Sequence, residues 1–238
     1  MAPKVLFVLT SHDKMGDTGK PTGWYLPEFA HPYEVLKDHV QITIASPNGG
    51  EAPLDPSSVE AFKEDPVSAK FLKNDEALWK NTKKLESFLG HAGEYEAIFF
   101  VGGHGPMFDL ATDATSHKLI NEFYTHNKII SAVCHGPAAI AFVKLPSGEF
   151  LIAGQAVTGF SNSEEDAVGL SSAMPFMLET ELNKASGGKF VKTEDWGKKV
   201  VVSRGGRLIT GQNPASAEGV GQAIYDAIFG ELTTRDEL

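Results

Sequence analysis

Cys134 is the only cysteine in the chain. It follows the apolar run Ile129 to Val133 and precedes Gly136 and Pro137. A lone cysteine is by default a small buried hydrophobe, but this setting carries a second reading. Proline is favoured in the first turn of a helix, where its missing N–H costs nothing. The order is then strand, Cys, helix: a nucleophile elbow with sulfur in place of a serine oxygen. A thiol beside a helix N-terminus has its pKa lowered from about 8.5 toward roughly 3.5–7.5, so the spacing predicts a largely ionised Cys134. Intrinsic nucleophilicity falls together with the pKa. Most of any rate would therefore come from positioning and from donors aimed at a developing oxyanion.

His135 is next in sequence, and in a regular strand its side chain would point away from that of Cys134. The argument lapses in a sharp elbow, which leaves a base on the sulfur and a surface or capping histidine as the two readings. Gly102-Gly103-His104-Gly105 leaves another strand-like run, Ala97 to Val101. Its glycines let backbone N–H groups approach a ligand. The amides of Gly103 and His135 could form an oxyanion hole, or the loop could be a plain tight turn. It matches no phosphate-loop pattern, and the chain contains no HExxH or cysteine pair. No metal and no cofactor are expected.

Two acidic positions matter. Glu28 lies in an otherwise apolar stretch, four residues before Pro32, whose ring clashes with the Glu28 carbonyl in a regular helix. The pattern predicts a bend or unwinding there, with Glu28 either a site acid or a solvent-facing one. Glu164, Glu165 and Asp166 follow Ser161 and Ser163, and Ser161-x-x-Glu164 fits a capping box. Acids at a helix start interact favourably with its dipole, so capping would account for all three without catalysis.

The elements that must position these residues alternate between strand-length apolar runs and helical spacing, the pattern of an α/β protein with a mostly parallel sheet. Strands are expected at Val5 to Leu9, Gln41 to Ala45, Ala97 to Val101 and Ile129 to Val133. A short strand is expected near Ala156 to Thr158, and a two-residue hairpin at Gly205-Gly206 between Val200–Ser203 and Arg207–Thr210. Helices are expected around Leu26 to Leu36, around Leu119 to Phe123, from Asn162, and from Ala215 to Phe229. Residues 1–238 form one domain, with an insertion around 46–90.

Composition narrows the function. The chain has 238 residues and a formal charge of −10 from 31 acidic and 21 basic side chains, which would repel a phosphate backbone. Nucleic acid is not an expected partner. Nor is a membrane, since the longest apolar runs fall far short of the roughly 20 residues a span needs. Met1-Ala2-Pro3-Lys4 shows no secretory signal. The terminal Arg235-Asp236-Glu237-Leu238 resembles an endoplasmic-reticulum retention tag, which works only on a chain already in the lumen. It is read as fortuitous, and a cytoplasmic location, with the nucleus as a second site, is expected.

Five ordered motifs carry a resemblance over nearly the whole chain: Glu28-x-x-His31-Pro32, Gly102-Gly103-His104-Gly105, Ala132-Val133-Cys134-His135-Gly136-Pro137, Thr158-Gly159-Phe160 and Thr210-Gly211-Gln212-Asn213-Pro214-Ala215-Ser216. Together they resemble the ThiJ/PfpI superfamily, and more narrowly its fungal chaperone-like branch of glutathione-independent glyoxalases. The resemblance implies a flavodoxin-like α/β sandwich with helices on both faces of the sheet. It implies a glyoxalase III-like lyase of the hydro-lyase class, converting methylglyoxal and water to D-lactate without glutathione or metal. It places Cys134 as nucleophile, His135 as base, Glu28 as the buried acid on the sulfur, Gly103 as oxyanion donor and Glu165 as the third triad member, with Glu164 and Asp166 as neighbours that could take that last place. The implied partner is a small 2-oxoaldehyde, and a homodimer is the assembly considered. A stress-induced holding chaperone or redox-sensing protein is the rival, and a cysteine hydrolase on peptides or amides the third reading.

Overall fold

A computed structural model describes residues 2–230. The Arg235–Leu238 tail lies outside the described residues. Seven strands form one sheet: β1 (Lys4–Val8), β2 (Gln41–Ser46), β3 (Lys83–Lys84), β4 (Ala97–Phe100), β5 (Ile129–Val133), β6 (Val200–Ser203) and β7 (Leu208–Gly211), in the order β3-β2-β1-β4-β5-β7-β6. All neighbours are parallel except the β6–β7 pair. The central strands β4 and β5 are buried at every residue, because a parallel sheet covered on both faces has no solvent side to accommodate polar residues.

The helices are α1 (Leu26–Leu36), α2 (Pro56–Ala61), α3 (Pro66–Asn74), α4 (Glu76–Lys80), α5 (Ala114–Thr125), α6 (Ala138–Ala141), α7 (Asn162–Ala167), α8 (Leu178–Ala185) and α9 (Ala217–Phe229). The first two strand connections run outward through β2 and β3, and the chain then returns to place β4 on the other side of β1. Strand order thus reverses at β1/β4, and in open α/β sheets the crevice outside the carboxyl ends of the strands at such a reversal is where ligands bind. This is the expected flavodoxin-like sandwich. No helix among the described residues is long and apolar enough to cross a membrane.

Three local expectations are corrected. Residues 156–158 make no strand; Val157 forms only an isolated bridge to Phe190. The β6–β7 hairpin turns through a 3-10 segment, Arg204–Gly206, with Arg204 and Gly205 both left-handed, rather than through two residues. Helix α1 continues through Pro32 instead of unwinding. Its packing against α9 and α3 outweighs the single backbone bond that Pro32 removes. The approach to α9 is close enough that a Cβ on Gly221 would lie 2.8 Å from Pro32 Cα.

Candidate active site

The chain leaves β5 through Cys134, a non-glycine residue in the left-handed region at φ 59°. An L-residue is held there only when its surroundings fix it. Three segments, 133–136, 158–160 and 210–211, are hydrogen-bonded there: Cys134 N–H donates to Gly211 O (2.9 Å), Phe160 N–H donates to Cys134 O (2.8 Å) and Gly136 N–H donates to Val133 O (2.7 Å). Thr158 N–H donates to Thr210 Oγ1 (3.0 Å), which ties the last two of these segments together. Gly136 is required by space, since a Cβ would lie 2.4 Å from Phe100 O.

Glu28 reaches the elbow from the first turn of α1 and is completely buried. The solvent-facing reading of this acid is therefore set aside. Its carboxyl presses on the turn after β4: a Cβ on Gly102 would lie 2.1 Å from Glu28 Oε2 and 2.9 Å from Cys134 Cβ. The sulfur and the amides of Gly102 and Gly103 are its polar neighbours, although neither oxygen completes a full hydrogen bond. Burial pushes the carboxyl well above the usual carboxylate range, more than the sulfur and amides pull it down. Glu28 is accordingly a neutral acid beside the sulfur.

Burial also pushes the Cys134 thiol up. The expectation of a largely ionised resting thiol is corrected on this point. The helix that was to stabilise a thiolate begins only at Ala138, with Pro137 as its N-cap, and the sulfur is buried. The thiol instead faces a base. His135 Nδ1 lies 3.4 Å from Sγ and His135 Nε2 lies 2.5 Å from Glu165 Oε2. His135 is itself buried, so it is neither a surface nor a capping histidine.

Glu165 sits on α7 and carries opposite chemistry to Glu28. Burial works to raise its pKa, but the imidazoles of His135 and His104 outweigh it and hold the carboxyl well below the usual range. An ionised carboxylate only accepts, so His135 Nε2 is the donor and Nδ1 carries the lone pair facing the thiol. Burial keeps the ring neutral, aided by His104 and opposed by Glu165. The second Glu165 oxygen, Oε1, takes His104 Nε2 at 2.8 Å. Of the three adjacent acids only Glu164 completes the capping box with Ser161, and it also accepts from Trp196 N–H (2.9 Å) and Asn213 Nδ2 (2.8 Å). Asp166 is exposed. Capping alone does not account for the trio.

Cys134, His135, Glu28 and Gly103 line one cavity of about 330 Å³, together with His104 and Trp196 among others. Glu165 stands behind His135 and His104. The amides of Gly103 and His135 donate to no backbone acceptor among the described residues, and that of Gly103 has the Glu28 carboxyl as its polar neighbour. Gly103 is also a turn residue, at φ 95° with its Cα packed against Gly23 and Trp24, so the two readings of this loop coexist. Sequence reasoning gave His104 no role, and it missed Asp55 and Tyr25 on the cavity wall and Trp196 at its mouth. Only His104 had a signal, as the one ionisable side chain in a glycine loop at a strand end. The ligand atoms of His104, His135 and Glu165 lie within 4.8 Å of one another, the one such cluster among the described residues. Both Nε2 atoms already bind the carboxylate, so holding a cation through them would break both hydrogen bonds.

Residues 26–227 match the model of the DJ-1/PfpI family. Glyoxalase 3 of Candida albicans is 33% identical, over 90% of this chain and 93% of that protein. The glutathione-independent glyoxalase HSP31 of Saccharomyces cerevisiae is 29% identical, over 96% and 99%. The crystal structure of the Candida albicans glyoxalase III superposes with a TM-score of 0.83 over 94% of this chain and 97% of that one. That of the Rapid Encystment Protein 24 kDa of Francisella tularensis, 40% identical, superposes at 0.89 over 95% and 99%.

Proposed function

The chain belongs to the DJ-1/PfpI family, and on that premise we propose that it is a glutathione-independent glyoxalase, a glyoxalase III-like lyase that takes a small 2-oxoaldehyde, methylglyoxal, and water to D-lactate. The observation that carries this reading is the unbroken line of contacts from sulfur to imidazole to ionised carboxylate, at 3.4 Å and 2.5 Å. It makes Cys134 a thiol activated on demand. Relatives named as glutathione-independent glyoxalases cover most of the chain.

Cys134 Sγ adds to the aldehyde carbon, and the S–H proton passes by way of His135 Nδ1 to the aldehyde oxygen, giving a hemithioacetal. The amides of Gly103 and His135 receive the negative charge that gathers on that oxygen. His135 then takes the former aldehyde hydrogen, the C–H electrons form a C=C bond and the ketone oxygen becomes that of an enediolate; His135 returns the proton to the neighbouring carbon while the hydroxyl proton moves from the first oxygen to the second. The product is a thioester. Water attacks its carbonyl carbon, the C–S bond breaks, and lactate leaves with the thiol restored. Glu165 holds the His135 tautomer throughout, and the Glu28 proton supports the sulfur as its charge varies. The aldehyde carbon is oxidised and its neighbour reduced, so no outside oxidant is required.

The chain acts as one domain, with 46–90 as an insertion that brings Asp55 and Ser57 to the cavity wall. Cytoplasmic location and a homodimer belong to the same reading. The exposed large apolar side chains among the described residues are only Val168, Val191, Trp196 and Phe229, a sparse set for a holding chaperone. The test is incubation of purified protein with methylglyoxal, a chelator and no added thiol. D-lactate from the wild type and none from Cys134→Ala is the expected result. No lactate from the wild type would sink the proposal.

A further inference from the structure

The isomerisation just described moves two protons. One leaves the first carbon (C1) and arrives at the second (C2). The other leaves the oxygen on C1 (O1) and arrives at the oxygen on C2 (O2). His135 serves the carbon-bound proton, which leaves the oxygen-bound one without a carrier. A second imidazole stands at the site. His104 and His135 ring centroids are 4.1 Å apart, both rings line the cavity, and both Nε2 atoms bind the same carboxylate, one to each oxygen. The other nitrogens differ. His135 Nδ1 is engaged with sulfur, whereas His104 Nδ1 meets no partner among the described residues. His104 is also the less buried of the two, with 12% of its side chain exposed against 1%.

Resting on the glyoxalase reading, we propose that His104 is a second proton-transfer residue, which carries the oxygen-bound proton from O1 to O2 while His135 carries the carbon-bound proton from C1 to C2. The balance closes. As His135 takes hydrogen from C1, the C–H electrons form the C1=C2 bond and the C2=O2 pair moves to O2, giving an enediolate. As His135 returns its proton to C2, the O1–H electrons form C1=O1, and His104 Nδ1 takes the O1 proton. His104 then gives that proton to O2, so both rings end as they began. The Glu165 carboxylate, shared by the two rings, balances whichever ring carries the extra proton in passing.

The test uses His104→Gln, which keeps a side-chain N–H for Glu165 but cannot ferry a proton, and His104→Gly with added imidazole. The wild type is assayed first for lactate from methylglyoxal. Its failure there would remove the glyoxalase reading and this role with it, whereas every outcome below presupposes an active wild type and bears on His104 alone. Intact mass reads the methylglyoxal adduct on Cys134, and lactate release reads turnover. The expected result is an adduct that forms in His104→Gln as in the wild type, lactate release at least tenfold slower, and recovery of His104→Gly by imidazole. A His104→Gln turnover within twofold of the wild type would overturn the proposal. So would joint loss of adduct and lactate with no recovery by imidazole, which would mark His104 as a structural support.

Discussion

Two glutamates converge on the Cys134–His135 elbow from opposite sides, and they differ in everything but their side chain. Glu28 comes from α1 and is enclosed by core and the β4 turn, with no cation near it. Glu165 comes from α7 and meets two imidazoles. Burial raises both, but only Glu165 has imidazole partners that overcome it. The first is therefore a proton holder and the second an anion. Two like groups pushed apart by their settings divide acid and base work between them. The α1 side supports the sulfur, and the α7 side orients the rings.

The sharpest way to break this contrast is to neutralise the anion. Glu165→Gln leaves the shape but removes the acceptor that fixes the His135 tautomer, and turnover should fall by about a hundredfold or more, read as kcat for lactate release. The matching change on the other side should do less. Glu28→Gln keeps a donor near the sulfur, and turnover should fall about tenfold, or about 1.4 kcal/mol of transition-state stabilisation.

Stability sharpens the contrast by sign. The folded chain keeps the Glu28 proton that the unfolded chain releases above about pH 4.3, so this group contributes stability below that pH that is lost as pH rises toward its folded value. Glu28→Gln should match the wild-type melting temperature near pH 4 and exceed it at pH 8. Glu165 runs the other way: its contribution is present above about pH 4.3 and lost as the solution is acidified. The Glu165→Gln deficit should shrink in acid. Melting curves at several pH values check both.

The smallest effects belong to the neighbours of Glu165. Glu164→Ala orphans the buried donors of Ser161, Trp196 and Asn213 and should cost about 1–3 kcal/mol in denaturant melts. Asp166→Ala, at the surface, should stay within about 0.5 kcal/mol. Neither should alter the His135 tautomer.

What was legible in the sequence follows the range of the interactions. The elbow at Cys134, the glycine turn after β4 and the capping box at Ser161 are local devices, each written in consecutive residues with special backbone or capping requirements. Which of Glu164 and Glu165 faces His135 depends on how α7 is rotated against the elbow, and a step of one residue turns a helix side chain by about 100°. Glu28 was visible as an acid among apolar residues, but its neutrality comes from β4 and the elbow closing over it, segments distant in sequence. The thiol was misjudged because Pro137 was taken to open a helix at the sulfur, whereas the chain makes a turn first and Cys134 is buried. His104 was one of eight histidines until the fold set it against the carboxylate of α7.

The central claim is that one site holds a neutral and an ionised carboxyl on either side of one thiol. Infrared difference spectra at neutral pH address it directly, wild type minus Glu28→Gln and wild type minus Glu165→Gln. The account predicts a protonated carboxylic carbonyl band in the first difference and only ionised carboxylate bands in the second. Carboxylate bands in the first, with no protonated carbonyl, would contradict it.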